Sequence, residues 1–332
     1  MARLGSWIEP FPDGIYVRPA DAWIDPSQPK PRALVTHGHA DHARGGHGEV
    51  WATAETLSIM GARYGEQNGQ TMAYGEAARI GGVDISFVPA GHVLGSAQIV
   101  LEHAGERVVV SGDYKRREDP TCAPFVVTPC DIFITEATFG LPVFKHPDTG
   151  SQVDRLLHRL HAEPERCVLV GAYALGKAQR LIMELRGRGH EEPIYIHGAL
   201  ERLCRLYEEL GVALGELRLA TGAPKDELRG RIILSPPGAL NDRWSRRLPE
   251  PITAMASGWM RIRQRARQRN VELPLVISDH ADWDELTQTI REVAPREVWI
   301  THGREEALMH WCTLHQIKAR ELNLVGYEDE DD

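Results

Sequence analysis

Residues 36–42, with the sequence THGHADH, place four metal-capable side chains within six residues, directly after an apolar run. Imidazole and carboxylate groups at this density repel one another and lose water unless a cation holds them. His37 and His39 can bind one ion while Asp41 and His42 turn towards another. The turn therefore favours a dinuclear metal site over a solvated loop that is merely rich in histidine.

Further polar residues with acid–base or metal-binding side chains follow predicted apolar strands along the chain. The set consists of six residues, of which the first belongs to the turn described above: His37, His92, Asp113, Glu136, His280 and His302. A single histidine of this kind is more often a structural residue with satisfied hydrogen bonds. Because strand ends on one edge of an α/β sheet converge, six such residues predict one common site.

The elements that must position these residues indicate an α/β protein. Apolar runs predict strands. Two of these runs, 97–101 and 107–110, predict a hairpin with its turn at residues 103–106. Helical periodicity begins near Ser151, after which strands alternate with amphipathic helices. The predicted strands are 85–88, 97–101, 107–110, 131–135, 167–170, 193–196, 231–234, 275–278, 297–301 and 322–325.

The pattern His-x-His-x-Asp-His at 37–42 resembles the signature of the metallo-β-lactamase superfamily. Residues 89–92 (PAGH) and 111–113 (SGD) are similar to its next two motifs. The resemblance implies an αββα sandwich and two divalent ions, with Zn²⁺ expected and Mn²⁺ or Fe²⁺ as alternatives. It also implies that Asp25 orients the histidine-rich turn, although Asp25 can equally be a strand-end cap.

The same resemblance implies a set of metal ligands. A carboxylate has two oxygens, so Asp113 can bridge both ions. The implied ligands are His37, His39 and His92 on one ion, and Asp41, His42 and His302 on the other, with Asp41 also counted among the catalytic residues.

Three later segments resemble the β-CASP nucleases, one branch of this superfamily. They are 135–138 (TEAT), 278–282 (SDHAD) and 299–303 (WITHG). In that family an α/β cap is inserted between the first and second of these motifs. The resemblance therefore implies a metallo-β-lactamase domain at 1–143 and 275–327, a cap at 144–274 and an acidic tail at 328–332.

The resemblance implies hydrolysis of a phosphodiester. The alkoxide that leaves needs a proton, and His280 is the expected donor, held and kept protonated by Glu136. The alternative for His280 is that it packs, or contacts a phosphate, without transferring a proton. Two ions can activate water and neutralise a phosphoryl oxygen.

Within the β-CASP branch, residues 111–116, 135–142 and 256–260 resemble bacterial exonucleases associated with DNA ligases, which are related to the cross-link-repair exonucleases and Artemis. This implies a DNA exonuclease, acting 5′→3′ with preference for a 5′-phosphate, in a repair system with a ligase and a helicase. His302 departs from the repair members, which generally carry an aliphatic residue there, and matches RNA-processing members. An RNA-processing nuclease is therefore the alternative; an inactive nucleic-acid-binding subunit and a thioester hydrolase explain less.

Eight arginines between Arg243 and Arg269, interleaved with tryptophan, suit the phosphates and stacked bases of a single strand. The alternative is a solvated basic face. The predicted substrate contacts are Lys177, Ser257, Gly258, Trp259, Arg261 and Arg263. Residues 171–178 (GAYALGKA) nearly form a phosphate-binding loop, but Ala178 has no hydroxyl for Mg²⁺, so no nucleotide cofactor is expected.

The chain of 332 residues is long enough for two structural units, and its net charge of −9 argues against a passive nucleic-acid coat. Its N-terminus has no apolar signal segment, and no apolar run approaches the roughly 18 residues that span a bilayer. None of the five cysteines forms a Cys-x-x-Cys pair. We therefore expect reduced thiols, a cytoplasmic location and no membrane association.

Overall fold

The computed structural model describes residues 4–322 and Leu324. The chain divides into two compact units, Met1–Lys145 with His280–Asp332, and His146–Asp279. The predicted insertion, 144–274, covers nearly the same stretch as the second unit. The predicted acidic tail, 328–332, lies outside the described residues. Among the described residues, no helix combines the length and the apolarity needed to cross a bilayer.

Strands dominate the part of the first unit that precedes the second. Its elements are β1 (Ile8–Phe11), β2 (Gly14–Val17), β3 (Ala22–Ile24), β4 (Arg32–Leu34), β5 (Glu49–Ala52), α1 (Ala54–Tyr64), β6 (Gly69–Thr71), β7 (Ala77–Ile80), β8 (Val83–Pro89), β9 (Ala97–His103), β10 (Glu106–Val110) and β11 (Ile132–Ala137).

The second unit alternates helices with short strands, and the first unit then resumes. The second unit contains α2 (Thr149–Ala162), β12 (Val168–Gly171), α3 (Lys177–Gly187), β13 (Ile194–Ile196), α4 (Gly198–Glu209), β14 (Leu217–Leu219), β15 (Ile232–Ser235), β16 (Ile252–Ala256), α5 (Arg263–Gln268) and β17 (Leu273–Leu275). The first unit is completed by α6 (Trp283–Val293), β18 (Glu297–Gly303), α7 (Glu305–Leu314) and β19 (Lys318–Glu321).

Two sheets form the centre of the first unit, in the orders β1-β2-β3-β4-β5-β6 and β19-β18-β11-β10-β9-β8-β7. Alternation along the strands decides which side chains lie between them. In β11, Ile132 and Ile134 join a core that also holds Ile15 and Leu34 of the first sheet. Phe133 points the other way. The predicted hairpin is confirmed, because β9 and β10 pair antiparallel.

Helices cover the outer faces of this sandwich. Phe133 packs with Leu286 and Ile290 of α6 and with Leu308 of α7. On the other side, Met60 of α1 packs among the apolar residues of β4 and β5. The first unit is therefore the predicted αββα sandwich.

The second unit is built on one parallel sheet, in the order β14-β13-β15-β12-β16-β17. Such sheets are normally covered on both faces, which explains their short, continuous apolar strands. All four residues of β12 and of β15 are buried. α2 precedes the first of these strands, and α3, α4 and α5 lie between later ones along the chain.

Two strand predictions were wrong. The run 275–278 was expected to form a strand, but β17 is Leu273–Leu275 and pairs only with β16 among the described residues. The predicted strand at 322–325 is replaced by β19, which ends at Glu321 and pairs with β18. Leu322 lies beyond that strand, and Val325 falls outside the described residues. In both cases pairing with a neighbouring strand, rather than apolar content, decided the boundary.

Candidate metal centre

The histidine-rich turn follows β4 and is fixed by Asp25. One carboxylate oxygen of Asp25 accepts the backbone N–H of Thr36 at 2.8 Å, and the other accepts the Thr36 hydroxyl at 2.6 Å. That second oxygen also lies 2.8 Å from Nδ1 of His42. A hydrogen bond from Nδ1–H to a carboxylate leaves Nε2 of His42 with the lone pair that a metal ion needs.

Three buried imidazoles face one another, two from the turn and that of His92 from the loop after β8. Nε2 of His37 lies 3.1 Å from Nδ1 of His39, and Nε2 of His92 lies 2.9 Å from the same atom. Nδ1 of His39 has either one proton or one lone pair, so it cannot form a good hydrogen bond with both of these ring nitrogens. A shared cation satisfies all three, since neutral imidazole nitrogens are good ligands for Zn²⁺ and similar ions.

The carboxylate of Asp113 is common to three groups of possible metal ligands. It combines with His37, His39 and His92, with His42 and His302, and with Glu136 and His280, and within each group the ligand atoms lie within 4.8 Å of one another. Asp41 belongs to a further group with His37 and His42. The donor chemistry therefore fits two divalent ions, while the assignment of each ligand to an ion stays a prediction.

Burial and mutual charge set the protonation of this cluster. Burial, with the neighbouring His42 and His92, holds the pKa of His37 well below its usual value. Burial also opposes the charged form of His42, but the carboxylates of Asp113 and Asp41 outweigh it and raise the pKa of His42 well above its usual value. Likewise burial opposes ionisation of Asp113, yet His42 and His280 hold its pKa well below the usual range. His37 is thus neutral and Asp113 ionised, the states that coordination requires, whereas the raised pKa of His42 means that its Nε2 must lose a proton before it can bind an ion.

Beside the cluster, His280 and Glu136 form a pair. Nδ1 of His280 lies 2.9 Å from Oε2 of Glu136 and 4.0 Å from Oδ2 of Asp113. The other oxygen of Glu136 accepts the backbone N–H of Tyr114 at 2.8 Å. The backbone N–H of Ala281 donates to the Tyr114 carbonyl at 2.6 Å, which fixes the residue after His280. Glu136 is buried, whereas the side chain of His280 keeps 15% of its surface exposed.

The last predicted ligand, His302, lies beside an irregularity in the pairing of β11 with β18. Glu136 and His302 were expected just beyond their strands, but they lie within the ends of β11 and β18. The register shifts between Thr135 and Ala137, as at a β-bulge, a feature that redirects side chains. Nε2 of His302 lies 3.3 Å from Oδ1 of Asp113. Gly303, with φ of 110°, is the last residue of β18. Only glycine fits there, because a Cβ would lie 2.1 Å from the Ala137 carbonyl oxygen.

The predicted substrate contacts lie in the second unit. Lys177 is buried, with its ammonium group 3.0 Å from Asp279 and 3.3 Å from the Ile277 carbonyl. Asp279 also pairs with the buried Arg180 at 3.1 Å, so one carboxylate serves two cations, and a phosphate at Lys177 would have to share it with Asp279. Arg261 and Arg263 are exposed, and nothing in their placement opposes a contact with phosphate.

The remaining predicted contacts are also engaged within the second unit. The hydroxyl of Ser257 accepts the backbone N–H of Trp259 at 3.2 Å, and the Ser257 N–H donates to the Leu275 carbonyl. Trp259 is buried beneath the guanidinium of Arg265, 3.9 Å from the ring centre. Gly258 is buried as well. Substrate binding by these three residues stays a prediction.

Lys115 and Ser96 both hold the backbone of His92, a role that was not predicted from the sequence. The Ser96 hydroxyl accepts the backbone N–H of His92 at 3.0 Å. The ammonium group of Lys115 donates to the His92 carbonyl at 2.9 Å. Neither residue has a ligand type typical of a metal motif, so only the three-dimensional contacts reveal them.

No protein-family model matches the chain. A protein of Opitutus terrae named "Probable DNA ligase" is 30% identical over 325 residues, which are 92% of this chain and 31% of that protein. "Cleavage and polyadenylation specificity factor 73" of Drosophila melanogaster is 24% identical over 72% of this chain and 42% of that protein. "Ribonuclease TTHA0252" of Thermus thermophilus is 28% identical over 53% of this chain and 48% of that protein. The chain spans less than half the length of each.

A crystal structure of a protein of unknown function from Enterococcus faecalis superimposes with a TM-score of 0.52 at 12% identity, covering 81% of this chain and 74% of that one. That similarity concerns the fold alone. The αββα sandwich, the motifs gathered at its strand ends and the sequence relatives are those of the metallo-β-lactamase superfamily. Within it, the chain belongs to the β-CASP nuclease branch.

Proposed function

We propose that this protein is a metal-dependent phosphodiesterase that degrades DNA as an exonuclease in repair, in the 5′→3′ direction and with preference for a 5′-phosphate. The observation that carries the proposal is the contact of His280 with Glu136 at 2.9 Å, beside a cluster of histidine and aspartate side chains. A thioester hydrolase has no evident need for this pair, whereas a phosphodiester leaves as an alkoxide that must be protonated.

In the proposed mechanism the residues of the cluster hold two divalent ions, with Zn²⁺ expected and Mn²⁺ as the alternative. Such ions polarise a phosphoryl oxygen and lower the pKa of water. Asp113 contributes a carboxylate within reach of both groups of histidines. His280 donates a proton to the leaving 3′ oxygen, and Glu136 orients its ring through Nδ1, so the proton moves from Nε2.

The support for DNA comes from the relative in Opitutus terrae. That protein is named "Probable DNA ligase", and the match accounts for 31% of its length. A nuclease segment within a ligase would act on the strand ends that a ligase joins. We therefore propose that the present chain acts with a ligase; the resemblance to ligase-associated exonucleases adds a helicase to the proposed repair system. The exposed Arg261 and Arg263 are the proposed contacts for strand phosphates.

We also propose that the second unit, His146–Asp279, is the β-CASP cap of this enzyme, since it holds a complete parallel sheet of its own. The proposed compartment is the cytoplasm, where the thiols of all five cysteines would remain reduced.

The experiment that tests the activity compares DNA and RNA strands of one sequence, each labelled at one end, with Zn²⁺, Mn²⁺ and Mg²⁺ supplied separately. The proposal predicts stepwise shortening of DNA that stops when the ions are chelated. Protein carrying His280→Ala serves as the control for contaminating nucleases. Degradation of RNA but not DNA would instead establish the second candidate.

That second candidate is an RNA-processing nuclease. It is favoured by the position of His302, 3.3 Å from Asp113, because the RNA-directed members carry histidine there. Two relatives, named as a ribonuclease and as a cleavage and polyadenylation factor, point the same way. The match to the Opitutus protein covers more of the chain, so DNA remains the proposed substrate.

A further inference from the structure

Lys115 has a fully buried side chain in the loop that follows Asp113. Its ammonium group lies 2.6 Å from a carboxylate oxygen of Asp119, also buried, and donates to the carbonyl oxygen of His92 at 2.9 Å. We propose that Lys115 is a positioning residue: the contact of its ammonium group with the His92 carbonyl sets the backbone that aims the His92 imidazole at the metal centre. The proposal rests on the proposed function for its meaning, but its test uses metal affinity.

The peptide groups on both sides of the His92 side chain are held. The backbone N–H of His92 donates to the Ser96 hydroxyl at 3.0 Å, and its carbonyl accepts from Lys115. With both groups fixed, the ring has little freedom beyond its own side-chain rotations. Its Nε2 then lies 2.9 Å from Nδ1 of His39 and 3.8 Å from Oδ2 of Asp113.

The main chain of Lys115 contacts the same loop. Its N–H donates to the Ala90 carbonyl at 3.3 Å. Gly91 adopts φ of 74°, and a Cβ there would lie 2.5 Å from the Lys115 carbonyl oxygen. Lys115 thus joins the loop that carries His92 to the loop that carries Asp113, so the distance between two predicted ligands depends on it.

A purely stabilising ion pair is the competing explanation. Asp119 is held in turn by Thr121, whose N–H and hydroxyl donate to it at 2.8 and 2.6 Å. Buried ion pairs are often replaceable by apolar residues without loss of stability. A buried ammonium group has three N–H donors that need acceptors in either case, and Lys115 gives one of them to the backbone of a predicted metal ligand. The two explanations therefore differ in what loss of that contact does to metal affinity.

The experiment compares Lys115→Met with the double variant Lys115→Met/Asp119→Leu, which leaves no unpaired charge buried. Lys30→Met is the matched control, because Lys30 also forms a partly buried ion pair, with Asp13. Zn²⁺ affinity is measured by competition with a chromophoric chelator, and the fold by circular dichroism and thermal melting. We expect both Lys115 variants to bind Zn²⁺ about 10–100-fold more weakly, the range for partners that orient metal ligands. The control should bind as the wild-type protein does.

Unchanged Zn²⁺ affinity in the folded double variant would overturn the proposal and leave Lys115 as a stabilising residue. Failure of both Lys115 variants to fold would overturn it as well, since the side chain would then be required for the fold itself. These outcomes do not depend on nuclease activity. If the wild-type protein degrades no strand, the proposed function fails while the affinities still decide the role of Lys115.

Discussion

The imidazole of His280 and the carboxylate of Glu136 lie 2.9 Å apart although they are 144 positions apart in the sequence. Glu136 is the second-last residue of β11 and lies where the register shifts, and His280 precedes the capped start of α6, where Asp282 and Glu285 exchange hydrogen bonds. Arg117 lies 2.6 Å from Asp282 and supports that cap. The position of the proposed proton donor is thus fixed from both sides within the first unit.

Replacement of His280 by alanine should lower the cleavage rate by roughly 10²–10⁴ while metal content is retained, because a general acid contributes about that much. Rates and elemental analysis are measured on the same preparation. His161→Ala, an exposed histidine on α2, is the matched control. A large loss of bound metal would mean that the roles of His280 and His302 are exchanged.

Asp113→Ala should cause the largest loss among single replacements of the predicted ligands, because Asp113 is shared between groups of histidines. We expect two ions per chain in metal-loaded wild-type protein and a clear reduction in the variant, measured by elemental analysis. Asp154→Ala removes an exposed carboxylate paired with Arg188 and should change neither metal content nor rate. Near-normal activity of Asp113→Ala would rule out the bridging role.

Asp25→Asn should weaken metal binding by about 10–100-fold, since it removes the carboxylate that fixes the His42 ring and the Thr36 backbone. The affinity is measured by chelator competition. The control, Asp84→Asn, breaks an exposed ion pair with Arg79 in the same unit. If the two variants bind metal equally well, Asp25 serves only as a cap at the end of β3.

Arg261→Gln and Arg263→Gln should each weaken single-strand binding and reduce the magnitude of its salt slope by about 0.7 per lost phosphate contact. Binding is measured by fluorescence anisotropy over a series of salt concentrations. Arg205→Gln removes an exposed arginine of α4, paired with Glu201, and should leave the slope as it is. A slope that does not change in the Arg261 and Arg263 variants would make these residues part of a solvated basic face.

Much of the seven-stranded sheet could be predicted because its central strands are long and apolar, whereas no strand of the six-stranded sheet, β1 to β6, was predicted. β8 to β11 and β18 coincide closely with predicted runs. The outer strands could not be predicted in the same way. β6 has three residues, all exposed, and β19 reads Lys-Ala-Arg-Glu, so only pairing with β5 and β18 makes them strands. Tertiary context overrides local preference at such edges.

The candidate ligands were predictable because their residue types and spacing are chemically unusual. The contacts that orient them were not, since Lys115 meets the His92 carbonyl only in the folded chain. Lys177 is a second example. Its loop-like spacing predicts a phosphate contact, which stays a prediction, but only the fold reveals that Asp279, distant in sequence, pairs with it at 3.0 Å. Sequence spacing identifies possible ligands, whereas the fold decides which partner each side chain meets.

The most direct test of the proposed function uses one DNA strand, labelled at its 3′ end and prepared with either a 5′-phosphate or a 5′-hydroxyl. The label separates the two directions of degradation, because loss from the 3′ end releases it in the first step. We predict that the 5′-phosphorylated strand is shortened progressively from its 5′ end, in the presence of divalent ions and faster than the 5′-hydroxyl strand. Equal rates on both strands would remove the end preference, early release of the label would reverse the direction, and an intact strand with every metal would contradict the proposed function itself.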